Sequence, residues 1–161
     1  MASQYKKECI SLIGKFDHVG IVVKDVEKAV EFYSDVLGWK LPKEGPYSEI
    51  LSIDVPGEKI RYAMLSSGDT YLELIEPKEG TWLEFLEEKG EGAICELCVL
   101  VDDIEEARKS IENRGITPMD RFRQPLKGDV MSAPSGSKYF YLPIEETSGT
   151  WIEILQRAWK E

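Results

Sequence analysis

The chain contains two similar halves, and that repeat restricts it to folds built from two copies of one unit. Phe16-Asp17-His18-Val19-Gly20-Ile21-Val22-Val23-Lys24-Asp25 aligns without gaps with Ile94-Cys95-Glu96-Leu97-Cys98-Val99-Leu100-Val101-Asp102-Asp103. Thr70-Tyr71-Leu72-Glu73-Leu74-Ile75 aligns with Thr150-Trp151-Ile152-Glu153-Ile154-Leu155. Glu96 follows His18 by 78 residues and Glu153 follows Glu73 by 80, so both matched pairs share nearly one repeat length. Inside these apolar runs, the polar side chains at equivalent positions are His18, Glu73, Glu96 and Glu153. Four oxygen or nitrogen donors related by an internal repeat point to one metal site at a pseudo-twofold centre.

The order of elements follows from periodicity. Residues 16–23 alternate and are rich in Val and Ile, which predicts a strand. Asp25 is placed to cap a helix whose apolar face is Val26, Ala29, Val30, Tyr33 and Leu37, ended by Gly38. Trp39-Lys40-Leu41 is expected to start a strand, and 47–55, 59–66 and 70–76 are strand candidates separated by turns. Thr81 to Lys89 predicts a short acidic helix with Trp82, Phe85 and Leu86 inward. The second half repeats this order: a strand over 93–101, a helix from Asp103 through about Arg114, and strands near 116–122, 126–132, 138–142 and 150–156. Residues 124–137 hold Pro, Gly and Ser and are the expected mobile loop. The expectation is one structural domain: an extension over 1–14, a first βαβββ module over 15–79, a linker helix over 80–92 and a second module over 93–161.

Strand parity turns the matched residues into a site. Residues two apart share a face, so His18 goes with Phe16, Gly20 and Val22, and Glu96 with Ile94, Cys98 and Leu100. Glu73 goes with Tyr71 and Ile75, and Glu153 with Trp151 and Leu155. A charged group on such an apolar face must be paired, liganded or strongly shifted in pKa. Cys95 and Cys98 form a CxxC, but three residues apart on a strand they should point to opposite faces, which favours core packing over redox or zinc chemistry.

Composition excludes several partners and chemistries. A formal charge of −10 argues against nucleic acid or an anionic membrane surface. No apolar run approaches a membrane span, and residues 1–14 do not read as a signal peptide. Three cysteines (Cys9, Cys95, Cys98) cannot all pair within the chain, which fits a reducing, cytoplasmic setting. His18 is the sole histidine, so a 2-His-1-carboxylate iron site cannot be assembled within one chain. A lone histidine is usually a satisfied core residue; four coincident positions in a repeat favour the metal instead. One imidazole with three carboxylates suits hard divalent ions such as Mn²⁺, Mg²⁺, Fe²⁺ or Co²⁺, with Ni²⁺ and Zn²⁺ open. Three carboxylates would leave such a site at −1, whereas His18, Glu73 and Glu96 alone leave it neutral and release Glu153 as a base.

These stretches resemble the vicinal oxygen chelate, or glyoxalase-like, superfamily, and within it the methylmalonyl-CoA epimerases. The likeness rests on Asp17-His18-Val19-Gly20-Ile21, Phe32-Tyr33 with Leu37-Gly38, and Glu73-Leu74-Ile75-Glu76-Pro77. It extends through Phe85 to Gly92, Val101 to Ala107, and Ile152-Glu153-Ile154, covering about residues 16–157. It implies an α+β fold in which two βαβββ modules pair into a cup-shaped mixed sheet (glyoxalase/bleomycin-resistance type). One metal ligand then comes from each of four strands: His18, Glu73, Glu96 and Glu153. Glu96 departs from the histidine that epimerases carry there, following Cys95 in place of a His-His pair.

The implied activity is a metal-dependent epimerase or isomerase moving a proton next to a carbonyl of a small molecule, with an acyl-CoA as candidate substrate. Glu153 would remove the proton, and Glu73 or a cup tyrosine would return one. The alternatives are a lactoylglutathione-lyase-type isomerase and a binding member of the superfamily without turnover. Tyr62, Tyr71, Tyr139, Tyr141 and Trp151 are candidate cup residues; Arg61, Arg121, Arg123, Lys127 and Lys138 are candidate contacts for an anionic substrate. The resemblance also implies a homodimer.

Overall fold

The computed structural model of the protein describes residues 14–159, so the expected N-terminal extension (Gly14 apart) and Cys9 lie outside the described residues. The first half folds as β1 (Phe16–Val22), α1 (Val26–Leu37), β2 (Leu51–Val55), β3 (Glu58–Ser66) and β4 (Tyr71–Glu79). A connecting helix, α2 (Thr81–Lys89), leads to β5 (Ile94–Leu100), α3 (Ile104–Glu112), β6 (Met131–Ser132), β7 (Lys138–Tyr141) and β8 (Ile152–Gln156). All eight strands join one mixed sheet in the order β2-β3-β4-β1-β5-β8-β7-β6. At its centre β1 and β5 pair antiparallel with Val19 opposite Leu97, while β4 runs parallel to β1 and β8 parallel to β5. The order reads the same outward from the centre in both directions, which is the pseudo-twofold the repeat implies.

The two outer helices begin as their sequences require. Asp25 accepts from Lys28 N at 3.0 Å, and Asp103 accepts from Glu105 N and Glu106 N at 2.9 Å each. Such caps satisfy donors the first turn cannot pair and contribute about 1 kcal/mol each. A second, repeat-related clamp is less obvious from sequence: Val26 N donates to Glu76 Oε2 and Ile104 N to Gln156 Oε1, both at 2.8 Å. Gly38, at φ 71, closes α1 in the left-handed conformation that favours glycine. The second-half helix stops at Glu112, short of the expected Arg114.

Three apolar clusters divide the sheet. Ile21, Val23, Val26, Ala63, Leu65 and Leu74 pack between α1 and the outer face of the first half. Val99, Val101, Ile104, Ala107, Phe140 and Ile154 form the matching core under α3. The inner face belongs to both halves: Val22, Tyr62, Met64, Ile75 and Cys98 join Tyr139, Tyr141 and Trp151 in one cluster that α2 closes with Trp82, Phe85 and Leu86.

The strand edges depart from expectation. The run 47–55 is extended only from Leu51, and residues 39–41 contribute a single bridge, Lys40 to Ser66. Segment 116–122 forms no ladder, Met119 only bridging Tyr141 and Pro125, and 126–132 pairs only through the two-residue β6. Pro118 and Pro125 lack the N–H a ladder needs. Asp120 also diverts backbone donors, accepting from Phe122 N at 2.8 Å and Gln124 N at 3.0 Å to close a turn. Among the described residues no helix is long and apolar enough to cross a membrane.

Candidate metal centre

The four central strands each deliver one of the matched residues: His18 from β1, Glu73 from β4, Glu96 from β5 and Glu153 from β8. His18 Nε2 lies 3.2 Å from Glu73 Oε2, 3.4 Å from Glu96 Oε1 and 3.3 Å from Glu153 Oε2. All four side chains are buried. The register explains why they meet. Gly20 pairs with Glu73 on one side and Glu96 on the other, while Cys98 pairs with His18 and Glu153. Gly20 leaves room for this crossing: a Cβ there would stand 2.7 Å from Glu96 Cγ and 3.2 Å from Cys95 Sγ. The glycine is needed for close approach rather than for its backbone freedom.

Two irregularities flank the pseudo-dyad. Along β1 the pairing steps from Phe16–Val99 to His18–Cys98, so Asp17 is an extra residue; along β5 it steps from Gly20–Glu96 to Ile21–Ile94, so Cys95 is one too. Asp17 and Cys95 are repeat-equivalent, and each forms a β-bulge that re-aims the side chain beside a donor. Asp17 is fully buried and its Oδ2 accepts from His18 Nδ1 at 2.7 Å. The expectation that Cys95 and Cys98 point to opposite faces fails for the same reason: both join the inner cluster, as free thiols.

Crowding three carboxylates around one imidazole has electrostatic consequences. Burial, then the Glu73 charge, pushes the Glu96 carboxyl up to about 8; burial, then Glu96, pushes Glu153 up to about 7. For His18 burial acts to lower the pKa, but Cys98, Glu73 and the bond to Asp17 outweigh it and the net shift is well upward. His18 Nε2, Glu73 Oε2 and Glu96 Oε2 are buried and make no hydrogen bond of acceptable geometry. Buried polar atoms without a hydrogen bond are rare in folded proteins and call for an explanation. His18, Glu96 and Glu153 present ligand atoms within 4.8 Å of one another, and Glu73 adds a fourth oxygen. The donor set fits a divalent cation of hard to intermediate character.

The donors stand at the floor of a cleft of about 430 Å³, its open mouth included, walled by Ile53, Ile60, Tyr62, Trp82, Tyr139 and Tyr141. Of the expected cup aromatics, Tyr62, Tyr139 and Tyr141 line this cleft. Tyr71 packs against Tyr47 and Trp151 against Trp82 and Tyr141, one layer away. Of the basic candidates, Arg121 packs behind the wall, with its guanidinium 5.7 Å from the Tyr139 ring centroid and 3.0 Å from Glu58 Oε2. Arg123 lies over Trp151 at 5.0 Å. Arg61 is on the outer face, pairing with Glu27 and Glu76, and Lys127 and Lys138 are exposed away from the donors.

Three features escaped sequence reasoning. Asp17 did so because a bulge breaks two-residue parity, and Arg157, which ion-pairs with Asp17 Oδ1, lies outside the repeat. Glu58 carried a signal: it shares parity with Ile60 and Tyr62, so a carboxylate on that face had to be buried and paired.

Comparison with known proteins agrees with this architecture. The sequence profile of the Glyoxalase/Bleomycin resistance protein/Dioxygenase superfamily matches residues 17–131. The uncharacterized protein YwbC of Bacillus subtilis is 30% identical over 146 residues, spanning 89% of this chain and 98% of YwbC. Human mitochondrial methylmalonyl-CoA epimerase is 25% identical over 146 residues, spanning 89% of this chain and 74% of the human protein. A solved structure of Streptomyces coelicolor methylmalonyl-CoA epimerase superposes with a TM-score of 0.73 at 23% identity, covering 92% of this chain and 98% of that one. Sheet order, internal repeat and profile agree: the chain belongs to the glyoxalase/bleomycin resistance protein/dioxygenase superfamily.

Proposed function

We propose that the protein is a divalent-metal-dependent epimerase or isomerase that moves a proton α to the carbonyl of an acyl-CoA thioester. The observation that carries this is the convergence of three buried carboxylates on His18 Nε2 at the floor of one cleft. Glu153 can act as the base once it is released from the ion, which leaves His18, Glu73 and Glu96 as a neutral site. His18, Glu73, Glu96 and Glu153 would hold the ion, which when bound acts as a Lewis acid on a substrate oxygen.

The symmetry of the site supports inversion at carbon. Glu73 and Glu153 are repeat-related and come from β4 and β8, the strands on opposite sides of the central β1–β5 pair. Two carboxylates approaching from two sides suit removal of a proton from one face and its return to the other. Glu153 takes the proton; Glu73 returns one. Tyr62, Tyr139 and Tyr141, whose hydroxyls burial pushes well upward, stay protonated and supply hydrogen-bond donors to anionic oxygen. The acyl-CoA assignment draws on the relatives: the Streptomyces epimerase was solved in complex with 2-nitronate-propionyl-CoA.

The test is exchange of the α-proton of methylmalonyl-CoA in deuterated buffer with Mn²⁺- or Co²⁺-loaded protein. Exchange in wild type, with a loss of about 10²–10⁴-fold in Glu153→Gln while metal stays bound, is the expected result. Absence of exchange in metal-loaded wild type would show a binding protein or an enzyme for another substrate.

A further inference from the structure

Asp17 and Arg157 take no part in the chemistry above, yet both side chains are buried beside it, at 0% and 4% exposure. We propose that they are positioning residues: Asp17, held by Arg157, accepts the Nδ1 hydrogen of His18 and thereby commits Nε2 to the carboxylate cluster. The consequence for metal affinity rests on the metal centre proposed above; the hydrogen bond itself does not.

The geometry builds this chain of contacts step by step. In a regular strand Asp17 would point away from His18; the bulge turns it back, so that its Oδ2 sits 2.7 Å from Nδ1. The other oxygen, Oδ1, ion-pairs with Arg157 Nη2. The Arg157 guanidinium is itself fixed between two rings, with Cζ 5.0 Å from the Tyr71 centroid and 5.7 Å from that of Trp159. An imidazole has two nitrogens, and only one can face the cluster as a ligand; a carboxylate on Nδ1 makes that choice. Arg157 stands four residues after Glu153, so a donor of the first half is oriented by a segment of the second.

The repeat provides an internal control. The residue equivalent to Asp17 is Cys95, beside Glu96. A carboxylate ligand has no tautomer to select, and the position behind it holds a thiol in place of a carboxylate. The charged pair is present where the donor is an imidazole and absent where it is not.

Because His18 is the sole histidine, ¹H–¹⁵N spectra of histidine-labelled protein report on it alone. Zn²⁺ affinity, measured by competition with a chelator, is the second readout. In Asp17→Asn the Nδ1 proton should move upfield and Zn²⁺ should bind about 10–100-fold more weakly, the range seen for outer-shell partners. Arg157→Gln should weaken Zn²⁺ binding likewise, Arg157→Lys, which keeps the charge, should recover most of that loss, and Cys95→Ala should leave the affinity unchanged. The arginine pair carries the test if Asp17→Asn does not fold. An Nδ1 proton unchanged in Asp17→Asn and in Arg157→Gln overturns the proposal. A wild type that binds no Zn²⁺ but loses the Nδ1 resonance position in Asp17→Asn overturns the metal centre and upholds the positioning role.

Discussion

The two halves of the molecule agree at their inner strands and part company at their outer ones. β1 and β5 are seven residues each, and both meet their neighbours with the same register, bulge and helix clamp. Outward, the nine-residue β3 and five-residue β2 of the first half face a four-residue β7 and a two-residue β6 in the second. Where the second half lacks strand, the turn around Asp120 carries Arg121 behind the cleft wall, against Glu58 and Tyr139. The first half supplies Ile53, Ile60 and Tyr62 to the cleft, and the second supplies Tyr139 and Tyr141 with Arg121 behind Tyr139. The shared part thus holds the candidate metal centre, while the unshared part shapes the surroundings of its cleft.

The comparison can be broken most severely at the donors. His18→Ala removes the one imidazole that the second half cannot replace, and should weaken divalent metal binding by more than about 100-fold, beyond the range of outer-shell changes. Elemental analysis after dialysis checks this, and a full complement of metal in the variant would remove His18 from the ligand set.

The metal-free protein should also lose stability as pH rises. Glu96 and Glu153 are raised to about 8 and about 7 in the folded chain, above their ordinary values when unfolded. Their contribution is therefore fully present below the unfolded pKa and is lost as pH climbs through 7 and 8. Melting temperatures taken with chelator between pH 5 and pH 9 should fall along that interval, and added Mn²⁺ should flatten the fall. A profile that rises over the same interval would contradict the crowding of carboxylates.

Next in size is the close approach at the centre. Gly20→Ala puts a methyl 2.7 Å from Glu96 Cγ and should destabilise by about 1–3 kcal/mol, as overpacking does. Cys98→Ala, at the equivalent position, creates no clash; urea unfolding of the two variants measures the asymmetry. The smallest effect belongs to the symmetric features. Asp25→Ala and Asp103→Ala should each cost about 1 kcal/mol, and nearly equal losses in the same unfolding experiment would show that the caps have not diverged.

The part of the fold legible in the sequence is the part the repeat preserved. His18, Glu73, Glu96 and Glu153 stood out because alternation and repeat agreed about them, and Asp25 and Asp103 because capping is local. Asp17 was hidden because parity assumes a regular strand, and a bulge is set by pairing with a distant partner. The strand expected over 116–122 was overruled by Pro118 and Asp120, whose effect depends on which backbone donors a ladder would need. Arg121 and Glu58 are 63 residues apart and in different halves, so no local pattern joins them.

The clamps at Glu76 and Gln156 have a consequence for how the centre comes to exist. Each lies three residues beyond a donor, Glu73 or Glu153, on the opposite face of the same strand, and each grips the first turn of an outer helix. A slip of β4 or β8 by one residue would turn the donor to the outside and tear away the helix at the same time. Frameshifted pairings are therefore penalised twice over, so the register that brings the four side chains together is held from both faces of the sheet.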